Sequence, residues 1–105
     1  MDRVEFLHAI DYGDKSINEM VVNHLDQCMI LYDLVNSSDK VKRIDSGNDT
    51  VSFQIDLVDS KSTEVLIGKI NAAPNICRYG KNVVNINLSA ISDNSVVLKM
   101  MKYHV

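Results

Sequence analysis

Residues 16–36 read SINEMVVNHLDQCMILYDLVN, and residues 50–58 read TVSFQIDLV. The contrast between these stretches decides the fold class. In the first, Ile17, Val21, Leu25, Cys28, Leu31, Tyr32 and Val35 gather on one side when each residue advances about 100°. Glu19, Asn23, Asp26 and Asp33 gather opposite. Ser16 and Glu19 form an S-x-x-E capping box, so the spacing predicts a helix over 16–36. In the second stretch, Val51, Phe53, Ile55 and Leu57 alternate with Ser52, Gln54 and Asp56. A period of two is that of a half-buried strand.

Outward from these anchors, the N-terminal side reads as a shorter helix over 2–12. Asp2 caps it, Glu5 sits in a capping-box position, Val4, Leu7 and His8 share a face, and Gly13 is placed to end it. A strand reading also fits 2–12, because Val4, Phe6, His8 and Ile10 alternate. C-terminal to residue 39 the period is two. Strands are predicted over 40–46, 50–58, 63–70, 83–91 and 95–103, with turns at Ser46-Gly47-Asn48-Asp49, 59–62 and 92–94. Residues 71–82, NAAPNICRYGKN, form the longest irregular stretch. Its segment Ile76–Tyr79 reads either as loop anchored on the core or as one more short strand.

Short turns imply antiparallel neighbours, because parallel strands need long crossovers. A long amphipathic helix and a sheet with one apolar face bury their stripes against each other. The expectation is an α+β fold, with one or two N-terminal helices packed on an antiparallel sheet of about five strands, wrapped as a meander around the 16–36 helix. The 105 residues make one domain, 1–105. With 46% apolar residues and no Trp, a core of Val, Ile, Leu and Met suffices without staples. Leu31, Phe53, Ile55, Ile86 and Leu88 are expected to be buried together.

Two cysteines, Cys28 and Cys77, do not make a disulfide framework. The opening MDRVEFLHAI does not read as a signal peptide, and no run approaches the ~20 apolar residues of a membrane span. These features point to a cytoplasmic protein with reduced thiols. Chain glycines are isolated, so phosphate-cradling G-x-G-x-x-G and P-loop motifs are absent, as is a G-x-S-x-G elbow. No catalytic residue or cofactor is nominated. His24 and Cys28 lie one turn apart and could join Cys77 and His104 in a four-ligand zinc set. They also lie inside the apolar stripe with no zinc-module spacing, so no metal is expected.

Charge is uneven. Residues 1–39 hold eight acids and two bases, a net −6, and residues 40–105 hold six acids and nine bases, a net +3. The bases Lys40, Lys42, Arg43, Lys69, Arg78, Lys81, Lys99 and Lys102 fit one sheet surface. A net charge of −3 argues against nucleic acid as a partner. Glu19, Asp26 and Asp33 recur every seven residues along one line of the helix. Ile30 and Leu34 fall among them, about 20° and 60° from Glu19. This face reads as a contact surface for a basic protein or a second copy, or as a solvated face. Arg78 and Tyr79 in the 71–82 stretch are residue types common at interface hot spots. The expected partner-binding set is therefore Glu19, Asp26, Ile30, Asp33, Leu34, Arg78 and Tyr79. The function expected is a small non-enzymatic protein-binding module, most concretely a stand-alone inhibitor of phage anti-defence or immunity-protein type. The alternative is a small-ligand binder or minor enzyme with a pocket between helix and sheet, near His24 and Tyr32.

Overall fold

A computed structural model describes residues 1–47, 49–72 and 76–103. Three helices lead: α1 (Arg3–Ala9), α2 (Lys15–Gln27) and α3 (Leu31–Ser37). Strands β1 (Ser38–Ser46) and β2 (Thr50–Leu57) follow, then α4 (Ser60–Ala72), then β3 (Ile76–Tyr79), β4 (Asn82–Ser92) and β5 (Ser95–Tyr103). All strand pairs are antiparallel, in the order β1-β2-β5-β4-β3. The fold is α+β, as the change of period predicts.

One sheet face carries the core. Val51, Phe53, Ile55 and Leu57 of β2 share it with Val96, Leu98 and Met100 of β5, and with Val84, Ile86 and Leu88 of β4. The five residues expected to be buried together, Leu31, Phe53, Ile55, Ile86 and Leu88, are all in this core. The helices cover that face, and alternation puts Lys40, Lys42, Arg78 and Lys99 on the other. Among the described residues, no helix is long and apolar enough to cross a membrane.

The single helix expected over 16–36 is two helices with a corner between them. Cys28 caps α2, and Met29 takes the left-handed conformation at φ 61. The Ile30 N–H donates to the Leu25 carbonyl at 2.9 Å, and the Met29 N–H to the Asp26 carbonyl at 3.0 Å. This pair of bonds is a Schellman terminus, and its usual apolar contact between the residues at its two ends is supplied by buried Leu25 and Ile30. Asp14, rather than Ser16, caps the N-terminus, accepting from the N–H groups of Ser16 and Ile17.

The corner resets the helical phase. Helix α3 with its cap buries Ile30, Leu31, Leu34 and Val35, and Tyr32 turns out to solvent. Ile30 and Leu34 are therefore core residues, 1% and 0% exposed, and the expectation of an apolar pair on the acidic face is overturned. The angular argument fails because it ran one phase through a chain that reverses at Met29.

Residues 63–70, expected as a strand, lie in α4. Asp59 accepts from the Ser62 N–H at 2.8 Å, as an N-terminal cap does. Thr63, Leu66, Ile67 and Ile70 then repeat at helical spacing, with Thr63, Leu66 and Ile70 buried. The chain thus crosses from β2 to the far edge of the sheet through α4, so the sheet is no meander. The fifth strand is instead β3, the strand reading of Ile76–Tyr79. Helix α1 begins at Asp2, which accepts from the Glu5 N–H, and ends at Ala9 rather than near Gly13. Its inward residue is Phe6, and Val4 is exposed, so the face expected from Val4, Leu7 and His8 is not the one buried. Asn48 of the expected 46–49 turn lies outside the described residues.

Candidate functional site

Helix α2 lies against the sheet at its β3–β4 end. Between α2 and β3 opens a cleft of about 720 Å³. Its helical wall carries Glu19, Met20, Asn23, His24 and Cys28, and its sheet wall Ile76, Cys77 and Arg78. The volume is within the usual range of about 300–1,000 Å³ for ligand sites. The cleft runs along the length of α2, from Ser16 to Cys28, where that helix faces the short edge strand β3.

Alternation along β3 sends Cys77 toward the helices and Ile76 and Arg78 toward the open face, so Ile76 and Arg78 border the cleft at the sheet edge. Cys77 is buried, and burial pushes its thiol pKa up, favouring the neutral form. The Cys28 Sγ lies 3.8 Å from His24 Nε2, across one helical turn. Both cysteines are free thiols. Among the described residues no group of three or more His, Cys, Asp or Glu side chains is arranged to hold a metal ion. His104, the fourth member of the zinc set weighed from sequence, lies outside the described residues.

The sequence-predicted partner set is split by the fold. Glu19 and Arg78, far apart in the chain, border one cleft. Asp26 is exposed near the end of α2. Asp33 is half-buried and forms an ion pair with Lys69 of α4. Ile30 and Leu34 are in the core. Tyr79 pairs with Asn82 in the β3–β4 ladder, and its side chain lies outside the described residues.

Sequence reasoning missed Met29 as a surface residue and placed Tyr32 on the core stripe. They stand 76% and 74% exposed, Met29 at the α2–α3 corner directly after the cleft residue Cys28 and Tyr32 in the first turn of α3. A methionine in a left-handed position that favours glycine is the available signal, but it shows only once the backbone is known. The pocket near His24 proposed from sequence exists, but Tyr32 points to solvent away from the core and is not among its lining residues.

Elsewhere the polar side chains are satisfied locally. Asp56, on the open sheet face, accepts from Ser95 Oγ at 2.6 Å and Gln54 Nε2 at 3.1 Å, and these donors hold its carboxyl below the usual range. Asp11 is lowered in the same way by Asn18 Nδ2 and the Gly13 N–H.

Compared with protein-family models, curated proteins and solved structures, the chain matches none.

Proposed function

We propose that the chain is a small non-enzymatic protein-binding module, and that it contacts its partner through the α2–β3 cleft and the adjoining corner. The observation that supports this most is the convergence of Glu19 and Arg78 on one cleft, with exposed Met29 next in the chain after its lining residue Cys28 and exposed Tyr32 at the start of α3. Tyr and Arg dominate interface hot spots, Met is enriched at interfaces, and charges of both signs suit a polar rim. The absence of phosphate-binding and nucleophile-elbow motifs in the sequence favours binding over catalysis. An inhibitor or antagonist of another macromolecule, of the anti-defence or immunity type, is the most concrete form of this reading.

The test is capture with tagged protein from native lysate, identification by mass spectrometry, and reconstitution with the purified partner. Tyr32→Ala combined with Arg78→Ala should abolish the reconstituted complex and leave the melting temperature nearly unchanged, because both residues are exposed. A complex that survives this double substitution would rule out the surface.

A second reading, a small-ligand site or minor enzyme, is favoured by the cleft volume and the His24–Cys28 contact. Thermal-shift screening of small molecules tests it. A hit lost on Cys28→Ser or His24→Gln, both in the cleft, would support it over a protein interface.

A further inference from the structure

The sheet ends at β3, whose register with β4 runs without a shift from Ile76↔Asn85 to Tyr79↔Asn82. A two-residue loop, Gly80-Lys81, closes this hairpin, with Gly80 at φ 59 as such a tight turn requires. The residues flanking a two-residue loop form a hydrogen-bonded pair, because the bond that closes the turn is one of theirs. Bonded and non-bonded pairs then alternate along the ladder. Tyr79↔Asn82 and Cys77↔Val84 are therefore bonded pairs, and Ile76↔Asn85 and Arg78↔Val83 are not. The backbone N–H and C=O groups of Ile76 and Arg78 point to the free edge, where both residues line the cleft. Among the described residues, none hydrogen-bonds those groups.

The opposite edge is built differently. β1 is interrupted by two register shifts and carries exposed Lys40, Lys42 and Arg43. Bulges and charges are the usual guards of an edge strand. β3, four residues long, has no register shift and carries the single charge Arg78, so its edge is the less guarded of the two.

We infer that the cleft takes an extended segment of another protein, which adds to the sheet as a further strand beside β3. The inference rests on the protein-binding reading above and deepens it by naming the form of the partner. Strand addition supplies affinity through main-chain bonds and specificity through alternate side chains. Side chains of the added segment on the helical side meet Met20, Cys28 and Cys77, which favour small or apolar groups. Glu19 on that wall disfavours an acid there. Side chains on the open side stand beside Ile76 and Arg78, and an acid beside Arg78 is the complementary cross-strand partner. The segment is thus extended, with apolar residues facing α2 and an acidic residue on the opposite side. A second copy is a poorer occupant, because joining β3 to β3 sets two Glu19-bearing helices beside each other.

The test is selection from a phage-displayed library of random linear peptides, followed by titration of the selected peptides into isotope-labelled protein. Alternating apolar and acidic sequences should emerge, and binding should slow amide exchange at Ile76 and Arg78. Arg78→Pro removes one outward N–H without touching the β3–β4 ladder, and should weaken binding about tenfold or more. Arg78→Glu keeps the N–H and should turn the selection toward basic peptides, which keeps the test decisive if the proline variant folds poorly. Selected peptides that protect amides elsewhere would overturn strand addition while leaving a protein-binding role intact. An empty selection, or concentration-dependent protection of Ile76 and Arg78 without peptide, would also overturn it, the latter in favour of self-association.

Discussion

Met29 is the residue on which the N-terminal half turns, and its substitution gives a sharp test. At φ 61 an L side chain pays a left-handed penalty of about 1–2 kcal/mol that glycine does not. Glycine loses about 0.5–1 kcal/mol relative to alanine through its extra freedom in the unfolded chain. Both Met29→Gly and Met29→Ala remove a side chain that is already 76% exposed, so the difference between them isolates the backbone. The Gly variant should be the more stable by about 0.5–1 kcal/mol. In a chain of this size that is a difference of roughly 2–6 °C in melting temperature. Asn23, exposed within α2, is the internal control. There the order inverts, and Ala should exceed Gly by about 1 kcal/mol. Urea melts followed by far-UV circular dichroism, fitted with a shared slope, resolve both differences. If Ala equals or exceeds Gly at position 29, the Schellman corner is absent in solution and residues 16–36 form one helix.

Further outcomes follow from burial and hydrogen bonding. Phe53→Ala should cost about 3–5 kcal/mol, since the ring is fully enclosed in the core, and an unchanged denaturant midpoint would put the wrong sheet face inside. Ile30→Lys, or Leu34→Lys, should unfold the protein rather than merely weaken binding, and circular dichroism distinguishes the two. Ser95→Ala should raise the pKa of Asp56, read by carboxyl carbon shifts. The folded value lies below the unfolded one, so this bond stabilises the protein fully above the unfolded value and loses its effect as pH falls through the folded value. The stability gap between wild type and Ser95→Ala should therefore be present at neutral pH and close below about pH 3.8. Iodoacetamide at neutral pH should label half-buried Cys28 before Cys77, whose thiol is buried and held neutral. Mass spectrometry of partial digests gives the order.

The period of two in Val51–Leu57 and in 83–91, and the apolar stripe that begins at Ile17, fix a helical layer on one face of an antiparallel sheet. That inference needs only local geometry: alternate residues share a sheet face, and residues three or four apart share a helix face. β5 falls where its alternation puts it, Ser95–Tyr103. Helix α4 was also legible, in the Asp59 cap and the spacing of Thr63, Leu66, Ile67 and Ile70. The strand reading of 63–70 carries the period of two across a segment whose buried residues repeat at helical spacing.

What the sequence could not yield is the corner at Met29. No glycine or proline marks it, and a helical phase carried across it assigns Ile30 and Leu34 to the surface and Tyr32 to the core. The corner forms because burial of Leu25, Ile30 and Leu34 outweighs the strain of one left-handed methionine, and that balance exists only when the sheet is present to receive them. The cleft is tertiary for the same reason. Glu19 and Arg78 are 59 residues apart in the chain, and only the α4 crossover, which carries β3 to the sheet edge beside α2, brings them to one place.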